Sequence, residues 1–147
     1  MIYIASDHTA LDLKKVLVIY LKDNKYRVKD LGTYTHKRVH YTVFAKKLCR
    51  YVLSSKASNM SRGILLCRTG IGMSIMANRF KGIRAAVCVN EHMAKMSVKH
   101  NNANILCLGS RIIGEELALA IVSIFLNEQF EGGRHEIRVN HYDKIND

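Results

Sequence analysis

Cys67 stands where a thiol can do chemistry. It ends the apolar run Gly63-Ile-Leu-Leu-Cys67 and leads into Arg68-Thr69-Gly70-Ile71-Gly72, a glycine-containing turn that opens a helix. The amides of such a turn, backed by the positive end of the helix, hold a phosphate or a developing oxyanion. The same field favours the thiolate, the form that acts as base or nucleophile. A plainer role fits the same residues equally well, that of a small buried hydrophobe followed by glycines that turn the chain. His100, before Asn101 at the end of a helical stretch, suits acid–base work or a helix-end cation that complements the dipole. Arg134 and Arg138 are four apart, so on a helix they face one way and can fork a phosphate dianion, or simply form a solvated face. Asp7 and His8 suit a ligand or the cap of the first helix. His36 and His40 share the i, i+4 spacing but fall in a loop without cysteine partners, which argues against zinc. Cys49, Cys88 and Cys107 fall inside regular elements and read as packing.

These residues need elements to place them. Short β-rich runs at Tyr3–Ala5, Arg27–Leu31, Gly63–Cys67, Arg84–Val89 and Asn104–Leu108 alternate with stretches of helical period. Leu11, Leu13, Val16, Leu17, Tyr20 and Leu21 form one apolar helical stripe, Val43, Phe44, Leu48, Tyr51 and Val52 another, and Glu115–Leu126 is the most apolar helix. The pattern is that of βα units around a mainly parallel sheet, whose ligands bind beyond the carboxyl ends of the strands. Ser6-Asp7-His8, Arg68 to Gly72 and Asn90-Glu91 fall in such positions. Ser54–Ser61 reads as a polar loop, with an idle Asn59-Met60-Ser61 sequon. The tail 131–147, opened by Gly132-Gly133, reads as too polar for the core. No repeat or linker divides the chain, so residues 1–147 are expected to form one domain.

With 147 residues, 48% hydrophobic and 24% charged, the chain is long enough for a core and too balanced for disorder or coiled coil. Its longest apolar runs, Val16–Leu21 and Leu117–Val122, fall far short of a membrane span. The absence of a secretory pattern after Met1 and four unpaired-looking cysteines point to the cytoplasm. A net charge of +11 favours anionic partners. The basic residues are scattered in ones and twos, without the motifs of a specific nucleic-acid binder.

Several segments, taken in order, carry a family resemblance. They are Ser6-Asp7-His8, Asp30-Leu-Gly-Thr-Tyr34, Gly63-Ile-Leu-Leu-Cys67 with Thr69-Gly70-Ile71-Gly72, and Ala77-Asn78-Arg79. His100-Asn101-Asn102-Ala103-Asn104, Leu108-Gly-Ser-Arg111 and Glu131-Gly-Gly-Arg-His-Glu-Ile-Arg138 follow. From the first strand to about Asp143 the chain resembles the ribose-5-phosphate isomerase B family, which includes the A and B subunits of galactose-6-phosphate isomerase. The resemblance implies a Rossmann-like three-layer α/β/α sandwich with a five-stranded parallel sheet. It also implies an enzyme that moves a proton between C1 and C2 of a phosphorylated sugar through an enediolate, without metal or organic cofactor. By position it makes Cys67 the base and assigns the enediolate to Thr69 and the amides of Arg68, Gly70, Ile71 and Gly72. His100 becomes the ring-opening group, Asp7, Tyr41 and Asn101 substrate-binding groups, and His8, Arg111, Arg134 and Arg138 the phosphate clamp. A homodimer or homotetramer with shared sites is implied, with the tail packing on a partner subunit.

Three departures stand out. Arg68 replaces the family's usual glycine, where a Cβ is costly if the backbone is left-handed. His40-Tyr41-Thr42 replaces Asp-Tyr-Pro and is more like the galactose-6-phosphate B subunit. Ala10 replaces another glycine. The expected reaction interconverts ribose 5-phosphate and ribulose 5-phosphate. The alternatives are isomerisation of galactose 6-phosphate or allose 6-phosphate and, outside the class, a basic non-catalytic binding module.

Overall fold

Five apolar runs become strands: β1 (Ile2–Ser6), β2 (Val28–Asp30), β3 (Arg62–Cys67), β4 (Ala85–Val87) and β5 (Ile105–Gly109). In the computed structural model, which describes residues 1–54 and 61–144, they form one sheet of order β2-β1-β3-β5-β4 in which every neighbouring pair is parallel. The helices are α1 (Leu11–Asp23), α2 (Tyr41–Ser54), α3 (Ile71–Ala77), α4 (Glu91–Lys99), α5 (Glu115–Asn127) and α6 (Arg134–Val139). Alternate strand residues feed two cores. Ile4, Ile64, Leu66, Leu106 and Leu108 pack with Leu17, Leu21, Val98, Ile121 and Phe125 of α1, α4 and α5. Tyr3, Ala5, Leu65, Ile105 and Cys107 pack with Leu48, Val52, Met73 and Ala77 of α2 and α3. The result is the expected α/β/α sandwich. β1, β3 and β5 are apolar nearly throughout because both their faces are covered.

Some expectations are corrected. The second and fourth strands are three residues each rather than the longer runs read from the sequence, because each lies at a sheet edge and pairs on one side only. Residues 55–60 of the expected polar loop, with Asn59 and Met60 of the sequon, lie outside the described residues. The tail is not uniformly polar surface, since α6 tucks His135 against α4 and leaves it 6% exposed.

Lys14 pins the segment after β2. Its position beside Lys15 on α1 reads as solvated, yet it is 1% exposed. Its Nζ donates to Asp30 Oδ1 at 2.6 Å and to the Thr33 carbonyl at 2.7 Å, while Asp30 Oδ1 also accepts from the Gly32 amide. Burial holds the ammonium below its ordinary range, opposed by Asp30. Lys14→Met keeps the stem but strands the carboxylate and the carbonyl, so urea denaturation should show a loss of about 2–3 kcal/mol, less than for a fully buried pair because Asp30 is partly solvated. Lys15→Met, which removes an exposed partner of Asp12, should stay within about 0.5 kcal/mol of the parent.

Candidate active site

The strand order reverses between β1 and β3, the position at which such sheets bind ligands, and the loops leaving them lie side by side at their carboxyl ends. The Asp7 amide donates to the Leu66 carbonyl at 3.1 Å, which ties the two loops together. Past Cys67 the chain is held to the end of β5: Ser110 N donates to the Cys67 carbonyl at 2.9 Å and Arg111 N to the Arg68 carbonyl at 3.1 Å. Two glycines make this approach possible. Gly70 has φ +80°, and a Cβ there would meet the Leu108 backbone at 3.1 Å; a Cβ on Gly109 would meet the Thr69 carbonyl at 2.7 Å. Gly72 is explained by Tyr41, whose ring would lie 2.6 Å from an added Cβ. Arg68 does not need left-handed backbone, because the positive-φ non-glycine residues among those described are Lys25 and Asn102. Its side chain is therefore accommodated without backbone strain.

Within this turn the Gly70 amide donates to Cys67 Sγ at 3.2 Å, and the Ile71 amide donates to Thr69 Oγ1 at 3.3 Å. Cys67 is 5% exposed. The other three thiols are shut in hydrocarbon: burial pushes Cys49 up to about 12, Cys88 up to about 11, and Cys107 well above the usual thiol range. They remain neutral packing groups, as their positions suggested. Asp7 Oδ1 caps the first turn through Thr9 N and Thr9 Oγ1. His8 Nδ1 accepts from the Val39 amide at 3.3 Å. Ser6 Oγ, at the base of this cluster, is buried without a hydrogen-bond partner.

His100 and Asn101 lie elsewhere. α4 starts at the carboxyl edge of the sheet and runs back, so its C-cap His100 is delivered to the amino edge, just before β5. The tail follows it there: the Glu131 amide donates to the Lys99 carbonyl, the Gly82 amide donates to Asp143 Oδ1, and Asn101 Nδ2 donates to Tyr142 Oη. The ladder from Gly63↔Ile105 to Cys67↔Gly109 separates the two edges by about 13 Å of strand. One chain thus gathers Asp7, His8, Tyr41, Arg68–Gly72 and Arg111 around Cys67, and gathers Asn101, Arg134 and Arg138 around His100. Arg111 does not join the tail arginines as a third cation within the same chain. Arg68, Arg111, Arg134 and Arg138 are exposed, and none is in a salt bridge among the described residues.

The second cluster holds two groups that carry no role in the sequence reading, Glu131 and His135. His100, Glu131 and His135 bring three ligand-type atoms within 4.8 Å of one another. The two rings are stacked with planes 8° apart, so their in-plane lone pairs run side by side instead of converging on one ion. The Lys99 ammonium already sits 2.8 Å from Glu131. The arrangement suits a shared proton better than a metal. His36, at the other end of the chain, lies 3.3 Å from Asp12 and away from any cysteine.

The Ribose/Galactose Isomerase family model matches residues 2–142. Ribose-5-phosphate isomerase B of Escherichia coli is 42% identical over 133 residues, covering 90% of this chain and 87% of its own. A ribose 5-phosphate isomerase structure from Thermotoga maritima superposes with a TM-score of 0.93 at 49% identity, covering 98% of this chain and 97% of its own. The Mycoplasma genitalium ribose-5-phosphate isomerase B, solved with bound ribulose-5-phosphate, gives a TM-score of 0.92 at 42% identity, covering 97% and 93%. With the whole sheet, the Cys67 turn and the α6 tail inside the matched span, this chain belongs to the Ribose/Galactose Isomerase family.

Proposed function

We propose that this chain is the subunit of an aldose–ketose isomerase acting on ribose 5-phosphate and ribulose 5-phosphate, with each active site built from the Cys67 edge of one subunit and the His100 edge of another. The observation that carries this reading is the division of the family's site residues between opposite edges of one sheet, where no single chain can bring both to one sugar. Apolar surface beside each cluster supports the pairing. Ile71, Ile75 and Ile112 flank the first and Ile137 of the tail helix the second, each more than half exposed. A homodimer is the simplest assembly that closes two such sites, with the tail helix of each subunit facing its partner.

The chemistry follows from placement. His100 gives a proton to the ring oxygen and takes one from the anomeric hydroxyl, which opens the furanose. The Cys67 thiolate then removes the C2 proton. The C2–H electron pair forms the C1=C2 bond and the carbonyl electrons move to O1, which develops as an oxyanion beside Thr69 and the Gly70–Gly72 turn. The thiol returns the proton to C1, the C1=C2 pair forms that bond as O2 gives up its proton and C2=O2 forms, and the O2 proton is passed to O1, so no electron is gained or lost overall. His8 and Arg111 from one chain, with Arg134 and Arg138 from the other, surround the phosphate with donors. That assignment gives the surplus positive charge a phosphorylated small molecule as its partner. No helix among the described residues is long and apolar enough to cross a membrane, and four free cysteines suit a cytoplasmic setting.

The direct test assays the purified chain on ribose 5-phosphate, ribulose 5-phosphate, galactose 6-phosphate and allose 6-phosphate, with turnover expected on the pentose pair. Cys67→Ala should lower kcat at least ~10²-fold with little change in substrate affinity, and Cys88→Ala should keep activity. Arg138→Ala should raise KM roughly ten- to a hundredfold, as loss of one charge-assisted contact requires, while Arg50→Ala should not. The shared site makes its own prediction. Co-refolding Cys67→Ala chains with His100→Asn chains, each inactive alone on mostly cyclic ribose 5-phosphate, should restore about a quarter of parental activity on that sugar, since half the dimers are mixed and each holds one intact site of two. A mixture that stays inactive, under conditions where mixed dimers form, would overturn the shared-site assignment.

A further inference from the structure

His100 is surrounded more elaborately than a helix-end histidine requires. The His135 ring lies flat against it, centroids 4.1 Å apart and planes 8° from parallel. Glu131 Oε2 is 3.7 Å from His100 Nε2 and 3.6 Å from His135 Nε2. That carboxylate is itself anchored twice, by the Lys99 ammonium at 2.8 Å on Oε1 and by the bond from its own amide to the Lys99 carbonyl. Arg134 Nε donates to His135 Nε2 at 3.4 Å, which engages that nitrogen's lone pair.

We propose that Glu131 and His135 are positioning residues for His100, the stacked ring fixing the plane of its imidazole and the anchored carboxylate orienting its Nε2 edge. This rests on the reading of His100 as the ring-opening group. The groups facing the pair are Lys99 and His100 at the end of α4, Glu131 ahead of α6, and Arg134 and Arg138 on α6. Two imidazolium rings stacked at this distance repel, so one proton is held between them. Burial, with His100 and Arg134 next, holds His135 below the ordinary histidine range against the pull of Glu131. The hydrogen bond from Lys99 holds Glu131 below the usual carboxylate range, so it stays anionic at working pH. His135 is therefore held toward its neutral form, an uncharged plate against which the His100 ring is set.

The test measures kcat and KM against pH for Glu131→Gln, His135→Ala, His135→Phe and His100→Asn, with mostly cyclic ribose 5-phosphate and with open-chain ribulose 5-phosphate. Glu131→Gln should lose about tenfold in kcat on the cyclic sugar, less on the open one, with the limb for ring opening moved to lower pH as a neighbouring anion is removed. His135→Ala should show a similar selective loss, and His135→Phe, which keeps a flat buried ring, should recover most of it. Glu128→Gln, whose carboxylate pairs with Lys95, should leave the profile unmoved. Parental profiles in Glu131→Gln and His135→Phe, beside a selective loss in His100→Asn, would overturn the positioning role alone. Equal losses on both sugars in His100→Asn would overturn the ring-opening reading beneath it. A shift in Glu128→Gln as large as that in Glu131→Gln would reduce the effect to general charge and also overturn the proposal.

Discussion

A parallel sheet has a direction, and the rest of this molecule is arranged around it. Each βα unit must leave a strand at the carboxyl edge and bring the chain back to the amino edge before the next strand starts. Residues that end a strand, such as Ser6 and Cys67, therefore collect on one edge. Residues that precede one, such as Asn104 and the His100-Asn101 pair ahead of β5, collect on the other. The register Gly63↔Ile105 through Cys67↔Gly109 locks this polarity into the centre of the sheet. The tail obeys the same constraint, because α5 runs back to the amino edge and releases Glu131 beside the end of α4.

Rigidity at the Cys67 turn comes from backbone meeting backbone. Gly70 lies against Leu108, Gly109 against Thr69, and two amides from Ser110 and Arg111 hold the carbonyls of Cys67 and Arg68. Fixed amides are what a transient oxyanion needs, since dipoles already in place do not reorganise as charge develops. At the other edge the fixing is done by side chains, through the Lys99–Glu131 bond and the flat contact of two imidazoles. The two clusters thus reach similar order by different means.

Much of this is legible in the sequence. Continuous apolar runs mark β1, β3 and β5 because strands covered on both faces have no polar side, and the glycine turn after Cys67 marks the carboxyl edge. The separation of the two clusters leaves a signal too, since His100 stands before a strand and Cys67 at the end of one. Other features are not legible. Lys14 beside Lys15 reads as solvated, and its burial depends on Asp30 and Thr33, 16 and 19 residues away. His135, amid Arg134, Glu136 and Arg138, looks like surface until α6 folds onto α4. Gly72 looks like turn chemistry, whereas the Tyr41 ring is what excludes a side chain there.

Arg68 sits between the clamped parts of the turn without sharing their restrictions. Its carbonyl is held by Arg111, its backbone lies outside the left-handed region, and its side chain is exposed. Selection can therefore exchange the side chain at this one position while the neighbouring amides, fixed by Gly70 and Gly109, stay where they are. That separates two evolutionary problems which loops usually entangle, keeping a backbone in place and varying what it presents. A lineage that varied Arg68 would keep the geometry of the turn that carries it.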